Sequence, residues 1–298
     1  MLPFTTRYKQ EKQSARRHLQ TGSQLYETAA GLVETAIIGK GPAVLISHGS
    51  GGGYDMGLWL ARLIGGQFYF VAPSRFGYLR TPLPSNPTPE AQADTYAALL
   101  DTLNVSSVII VGLSAGGPSA LQFALRYPGR CRGLIMLSAI SRSLPPLPPL
   151  LKAIYTFMLW SDFIPWLFYA IAPDAVFQAN GVSRALLARI KLEPEKMDFL
   201  RTLYQTTFPT TLRREGIIND MQRFTILPAY PLERITTPTL VIHAINDPIV
   251  PFELGEFSAQ TIPGAQFLRL SDGGHFSCVT HQEETTTVMQ EFLMRCGT

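Results

Sequence analysis

Short apolar runs alternate with segments of helical spacing through the first 140 residues of the chain. The runs are rich in Val, Ile, Leu and Phe, as expected for strands that are buried on both faces, and they lie at 43–47, 68–72, 108–111 and 134–138. Between them the apolar positions recur at helical spacing, at 56–64, from 88 to about 103, and at 120–127. Two earlier runs, 24–29 and 32–38, flank Gly31 and predict a hairpin. The alternation predicts a parallel sheet with helices on both faces.

The alternation stops between residues 141 and 235. This stretch opens on a proline-rich segment at 145–149, lacks a comparable strand pattern, and is rich in helix formers and aromatic residues. Strand patterns resume at 239–244 and 267–270, and a last helix is predicted near the end of the chain, at 285–296.

We therefore predict a sheet domain in two parts, residues 1–140 and 236–298, interrupted by a helical cap at 141–235. Residues 1–20 carry basic side chains but no apolar core. They predict a frayed or helical N-terminal appendage, and not a signal peptide.

The most apolar segment, residues 150–173, has a length that would suit a membrane-spanning helix. Lys152 and Asp162 are charged, however, and Pro165 interrupts its middle. Because buried charges are costly in lipid, two short lid helices on either side of Ser161 and Asp162 are favoured over a transmembrane segment. Peripheral contact with lipid stays open.

The composition is that of a globular protein, with 46% hydrophobic and 16% charged residues. A net charge of +3 and the absence of basic clusters argue against nucleic acid as a partner. The three cysteines, at 131, 278 and 296, fit neither a disulfide framework nor a zinc site. We expect a cytoplasmic protein, monomeric or homodimeric, that uses no metal and no cofactor.

The pentapeptide Gly112-Leu113-Ser114-Ala115-Gly116 lies between the strand pattern at 108–111 and a helical segment. A serine on such a strand-to-helix turn presents its hydroxyl at the positive end of the following helix. The alternative is an ordinary glycine-rich turn. The context favours Ser114 as a nucleophile.

A serine nucleophile needs a base, and the base needs an acid that orients it. His275 lies in a glycine-rich loop directly after a predicted strand, where active-site loops of parallel sheets are found. Asp247 follows the strand at 239–244, although an Asp-Pro pair is also a common turn signal. Asp272 is the second candidate acid. Ser114, Asp247 and His275 follow one another in the order Ser, Asp, His.

Acyl transfer also needs donors for a developing oxyanion. One candidate is the backbone N–H of Ala115. The other comes from the loop His48-Gly49-Ser50-Gly51-Gly52-Gly53, with Ser50 preferred and Gly51 second. His48 is expected to hold this loop by hydrogen bonds. A phosphate-binding loop is disfavoured because no Gly-Lys-Ser/Thr follows.

These motifs, together with 75–78 (Arg-Phe-Gly-Tyr), Asp247-Pro248 and Gly274-His275, resemble the α/β-hydrolase superfamily, in its capped serine esterase, lipase and C–C hydrolase branch. The resemblance implies an eight-stranded, mostly parallel sheet with a helical cap inserted after the sixth strand. Ser74 and Ala244 depart from the family's usual Asp and Gly. A serine nucleophile argues against cleavage of epoxides and of carbon–halogen bonds.

Large side chains near the catalytic motifs and in the cap are expected to line an apolar substrate pocket, although any one of them could simply pack the cap. They are Phe76, Met158, Trp160, Phe163, Trp166 and Phe276. We predict hydrolysis of small to medium apolar carboxylic esters or lactones. One alternative is a C–C bond hydrolase of diketone-type products, with Arg213 and Arg214 binding a substrate carboxylate. Another is a non-catalytic ligand-binding relative.

Overall fold

The computed structural model describes residues 4–297, and its centre is one eight-stranded sheet. The strands are β1 (Gln24–Thr28), β2 (Gly31–Ile38), β3 (Ala43–Ser47), β4 (Tyr69–Pro73), β5 (Val108–Leu113), β6 (Cys131–Leu137), β7 (Thr239–Ala244) and β8 (Gln266–Leu270). Their order across the sheet is β1-β2-β4-β3-β5-β6-β7-β8. β2 pairs antiparallel with β1 and β4, and the other neighbours are parallel. The predicted mostly parallel, eight-stranded sheet is confirmed.

Thirteen α-helices lie within residues 4–297. They are α1 (Phe4–Thr21), α2 (Tyr54–Ile64), α3 (Pro89–Thr102), α4 (Gly117–Arg126), α5 (Pro149–Met158), α6 (Phe163–Ile171), α7 (Pro173–Ala179), α8 (Arg184–Ile190), α9 (Pro194–Gln205), α10 (Arg214–Arg223), α11 (Phe252–Thr261), α12 (Ser277–Thr280) and α13 (Gln282–Gly297). Helix α3 begins as predicted, because the Thr88 hydroxyl accepts a hydrogen bond from the N–H of Ala91.

The sheet separates two apolar cores. Alternate side chains of β5 enter opposite cores: Ile109 and Val111 pack on the side of α2 and α13, and Val108 and Ile110 pack on the side of α3 and α4. Because both faces are covered, the central strands read as continuous apolar runs in the sequence.

Helices α5 to α10 all lie between β6 and β7, and we call this segment the insertion. The Ser161 hydroxyl caps α6 by accepting hydrogen bonds from the N–H groups of Phe163 and Ile164. Within residues 4–297, a single helix long and apolar enough to cross a bilayer is not found; α5 and α6 meet that test only as a pair, and they are bent by 97°.

The predicted N-terminal appendage is a helix that packs on the insertion. Lys12 of α1 lies 2.8 Å from the buried carboxylate of Asp162, and the indole N–H of Trp166 donates to Glu11 at 2.6 Å. The ring of Tyr8 packs edge-on against Phe163. Helix α1 is therefore part of the folded unit. Residues 1–3 of the predicted appendage and residue 298 of the second core part lie outside the described residues.

A buried ion pair anchors the insertion to the core. The guanidinium of Arg213 is fully buried and lies 2.7 Å from Asp55 of α2, and it also donates to the carbonyl oxygen of Gly52. A buried charge without its partner is costly, so this contact ties the insertion to the loop after β3.

Replacing Arg213 by Leu should lower the free energy of unfolding by about 3–5 kcal/mol, because Asp55 would keep a buried charge without a partner. The measurement is urea-induced unfolding. Arg62→Leu is the matched control, since it breaks the exposed pair with Asp198 and should cost at most about 1 kcal/mol. Equal losses in the two variants would contradict an anchoring role for Arg213.

Candidate active site

Ser114 lies at the turn that joins β5 to α4. Its backbone is in the left-handed region, with φ of 50°, a conformation that is strained for residues other than glycine. A short 3₁₀ turn, Ser114–Gly116, leads directly into α4. The serine hydroxyl is therefore held at the carboxyl end of the sheet, near the positive end of a helix.

The glycines at 112 and 116 are required by close packing around this turn. A Cβ atom at Gly112 would lie 2.8 Å from the Cβ atom of Ala120, and a Cβ atom at Gly116 would lie 2.0 Å from the carbonyl oxygen of Ser47. Both separations are too short for a real side chain. The spacing of the motif thus follows from the packing of the turn between α4 and β3.

Ser114, His275 and Asp247 form one hydrogen-bonded chain. Nε2 of His275 lies 2.9 Å from Oγ of Ser114, and Nδ1 of His275 lies 2.8 Å from Oδ2 of Asp247. The side chain of Asp247 is fully buried, whereas Ser114 is 9% exposed. These hydrogen bonds thus connect a carboxylate that is shielded from water to a hydroxyl at the edge of the folded core.

The electrostatics of Asp247 decide which nitrogen of His275 carries the proton. Burial would raise the pKa of Asp247, but hydrogen bonds from His243 and His275 outweigh it and hold this pKa well below its usual range. An ionised carboxylate only accepts, so Nδ1 of His275 donates to it. Nε2 is then free to accept the proton of Ser114, as a general base must.

Asp272, the second candidate acid, and the buried His243 make different contacts. Asp272 lies 3.0 Å from Nε2 of His281. His243 is buried in β7, and its Nε2 lies 2.9 Å from the carbonyl oxygen of Val250 and 3.4 Å from Oδ2 of Asp247. These contacts leave Asp247 as the carboxylate that meets His275.

His48 holds the glycine-rich loop after β3, as expected. Its Nε2 accepts from the N–H of Arg75 at 2.9 Å, and its Nδ1 donates to the carbonyl oxygen of Gly49 at 2.7 Å. Burial and then the charge of Arg75 lower the pKa of His48 well below its usual value. A neutral His48 is required for Nε2 to accept.

The same loop runs past Ser114. A Cβ atom at Gly49 would lie 3.4 Å from the Cβ atom of Ser114. Ala115 is the second residue of the 3₁₀ turn, so its N–H has no partner within that turn. Among the contacts of residues 4–297, the N–H of Ser50 makes no hydrogen bond, whereas the N–H of Gly51 points to a tyrosine hydroxyl.

That hydroxyl belongs to Tyr78 and links the loop to the insertion. It lies 2.5 Å from Oδ2 of Asp220, 3.2 Å from Oγ of Ser50 and 3.4 Å from the nitrogen of Gly51. Burial and then the charge of Asp220 raise the pKa of Tyr78 well above its usual value. Because Tyr78 gives its one proton to Asp220, it only accepts from Ser50 and Gly51. Arg75 binds Asp220 through two further hydrogen bonds.

The insertion also holds the loop of His275. The N–H of His275 donates to the carbonyl oxygen of Asn180 at 2.8 Å. Asn246 accepts from the N–H of Gly274 at 2.9 Å and donates to the carbonyl oxygen of Gly181 at 3.0 Å. Sequence reasoning missed these positioning groups because each contact joins distant parts of the chain.

Two of the six expected pocket residues lie beside the hydrogen-bonded chain. Phe76 is buried and lines a small cavity together with Ala115. Phe276 follows His275 in the sequence, is half-buried, and packs edge-on against Phe177 of the insertion.

The four expected pocket residues from the insertion do not lie together beside Ser114 and His275. Trp160 is 64% exposed. Phe163 and Trp166 pack against Tyr8 of α1, with ring centroids 5.1 and 5.2 Å apart. Met158, at the end of α5, is half-buried. The expectation for Trp160, Phe163 and Trp166 is therefore corrected: Trp160 is mostly exposed, and the other two pack against α1.

A separate cleft of about 860 Å³ lies between α1, α2, α6 and α9, and Trp166 and Tyr169 form part of its wall. Ser114, Asp247 and His275 are not among its lining residues. The cleft is therefore distinct from the hydrogen-bonded chain.

Groups of three or more His, Cys, Asp or Glu side chains that could hold a metal ion do not occur within residues 4–297. Cys131, Cys278 and Cys296 are buried free thiols. Burial raises the pKa of Cys131 and of Cys278 to about 12, so these two thiols stay protonated.

Residues 42–282 match the family model of the alpha/beta hydrolase fold. An alpha/beta hydrolase fold protein from Nakamurella multipartita is 32% identical, with a TM-score of 0.81 over 93% of this chain and 100% of that one. A thermophilic esterase from Thermogutta terrifontis is 25% identical, with a TM-score of 0.70 over 93% and 99%. The 2-hydroxymuconate semialdehyde hydrolase of Pseudomonas putida is 28% identical over 86% of this chain and 88% of that protein. The chain belongs to the α/β-hydrolase fold family.

Proposed function

We propose that this hydrolase cleaves small to medium apolar carboxylic esters or lactones through an acyl-enzyme on Ser114. The observation that carries the proposal is the unbroken hydrogen-bonded chain from Asp247 through His275 to Ser114. Ser114 is the nucleophile, His275 the general base and Asp247 the acid that orients the imidazole. Similarity to an esterase supports this reaction class.

In the acylation step, Oγ of Ser114 attacks the carbonyl carbon of the ester while its proton passes to Nε2 of His275. The negative charge that develops on the carbonyl oxygen is stabilised by the N–H groups of Ala115 and Ser50. The imidazolium, stabilised by the Asp247 carboxylate, then protonates the leaving alcohol. A water molecule, activated by the same imidazole, hydrolyses the acyl-enzyme and restores Ser114.

Ser50 is preferred to Gly51 as the second oxyanion donor. The N–H of Gly51 already points to the hydroxyl of Tyr78, whereas that of Ser50 is free within the part of the chain that the structure describes. Residues 1–140 and 236–298 form the catalytic core in this proposal, and residues 141–235 form the cap.

Cleavage of a C–C bond by the same three residues is the second candidate, because the P. putida relative is named a semialdehyde hydrolase. The structure corrects one part of that expectation. Arg213 is fully buried and bound to Asp55, and the guanidinium of Arg214 stacks 3.8 Å above the ring of Trp160. Arg213 is therefore not available to bind a substrate carboxylate.

Ser114→Ala should lower kcat for p-nitrophenyl esters by about 10⁴-fold or more, because an acyl-enzyme cannot form. Unchanged circular dichroism and melting temperature would show that the fold is kept, and Ser106→Ala, an exposed serine, should behave as wild type. A folded Ser114→Ala variant with near-normal turnover would exclude Ser114 as the nucleophile. If the wild type hydrolyses a ring-cleavage diketone but no ester or lactone, the second candidate replaces the first.

Asp247→Asn should lower kcat by roughly 10²–10⁴-fold, since the amide no longer fixes the productive tautomer of His275. Asp272→Asn is the matched control, because Asp272 pairs with His281, and its activity should stay close to that of wild type. The reverse ranking of these two variants would assign the acid to Asp272.

Tyr78→Phe should lower kcat by roughly tenfold with little change in KM, because the loop that carries Ser50 loses its link to Asp220. Steady-state kinetics on one activated ester measures this split. Tyr26→Phe removes a hydroxyl that bonds only to exposed Gln24 and serves as the control. A Tyr78→Phe variant with wild-type kcat would show that this hydroxyl does not position the loop.

A further inference from the structure

Helix α5 and the corner that follows it expose an apolar surface. None of the residues of α5 is buried. Leu150, Ile154 and Phe157 have the i, i+4, i+7 spacing of one helix face, and Leu150 and Phe157 are 72% and 69% exposed. Trp160, at the corner before α6, is also mostly exposed. A globular protein normally turns such a helix face to its core.

Helix α6 repeats the pattern. Ile164, Phe168 and Ile171 have the same spacing and are exposed. We call these two stripes and Trp160 the apolar ridge. Single exposed apolar residues are ordinary, but seven large ones on two successive helices and the corner between them indicate an interaction surface.

The segment that carries the apolar ridge has little negative charge, and α1 beside it is mainly basic. Between residues 142 and 172 the one acidic residue is Asp162, and its carboxylate is buried and bound by Lys12. Helix α1, which packs on α6, exposes Lys9, Arg16 and Arg17. Within residues 4–297, none of these three forms an ion pair.

We infer that the apolar ridge docks into the headgroup region of an anionic lipid bilayer, with the basic side chains of α1 near the negative surface. Segments that lie in a membrane interface typically combine apolar and aromatic side chains with flanking basic residues. The 97° bend between α5 and α6 suits a segment that lies on the bilayer. A second copy of the chain fits less well, because a two-fold contact would bring two cationic α1 helices together.

Tryptophan fluorescence offers a direct test on the full chain. The chain has three tryptophans, and Trp59 and Trp166 are buried, so changes on lipid binding report on Trp160. Phosphatidylcholine vesicles that contain phosphatidylglycerol should cause a blue shift and quenching by brominated lipid. Phosphatidylcholine alone should bind weakly, and Trp160→Phe should lose the signal but keep most of the co-sedimentation.

Two variants separate the apolar and the electrostatic contributions. Phe157→Glu should weaken vesicle binding by at least about tenfold. Replacing Lys9, Arg16 and Arg17 together by Gln should weaken it roughly fivefold per charge and reduce its dependence on salt. Leu192→Glu is the matched control, because Leu192 is 82% exposed and lies outside the apolar ridge. Its binding should equal that of wild type.

Vesicle binding does not depend on the proposed reaction, so Ser114→Ala should bind as wild type does even if the proposed function fails. The inference is overturned if anionic vesicles leave the fluorescence unchanged, or if Phe157→Glu and Leu192→Glu bind equally well. It is also overturned if the wild type ignores vesicles but forms a dimer in sedimentation velocity that Phe157→Glu dissociates, since a second copy would then cover the apolar ridge.

Discussion

The arrangement of the candidate site depends on the buried carboxylate of Asp220. It lies on α10, in the insertion, and it binds the guanidinium of Arg75 and the hydroxyl of Tyr78. Tyr78 in turn accepts from Ser50 and Gly51. Because each buried polar group would be costly without its partners, these contacts are mutually dependent. The sheet supplies the proposed catalytic residues, and the insertion fixes the loop that would stabilise the oxyanion.

Most of the sheet was predictable because buried parallel strands and amphipathic helices leave periodic apolar patterns. Strands β3 to β8 lie close to their predicted positions, and α3 begins at Pro89, next to the predicted residue 88. Helix α11 was missed because its fully buried residues are Gly255 and Ser258, and the partly buried Leu254 and Phe257 supply only a short apolar pattern. The contact of α1 with the insertion was also missed, because nothing in a local pattern shows what a helix packs against.

The sequence was enough to predict the three residues of the candidate site, but not the residues that hold them in position. Ser114, Asp247 and His275 are recognisable because each follows a strand, and the carboxyl ends of parallel strands lie at one edge of a sheet. Asp247 was preferred to Asp272 from the sequence, and the structure adds that Asp247 contacts His275 whereas Asp272 pairs with His281. The link from Tyr78 to Asp220 joins residues 142 positions apart, and only the folded chain brings them together. Trp160, Phe163 and Trp166 were misplaced, because a large aromatic side chain in a sequence does not reveal which surface it contacts.

Helices α7, α8 and α9 of the insertion contribute side chains to the apolar core on the α2 side of the sheet, so α5 is the exception within the insertion. Asp220 and Arg213 hold the insertion to the core, and Asp162 and Trp166 hold it to α1. Helix α5 buries none of its residues, so its apolar face gains little folding free energy and exposes apolar area to water. The stability of the fold therefore does not explain why that face of α5 is apolar. The corner between α5 and α6 is nevertheless fixed, because the Asp162 carboxylate is bound by Lys12 and by the N–H of Thr211. A rigid apolar face beside a cationic helix is preorganised for an apolar, anionic surface, and it loses little conformational entropy on docking.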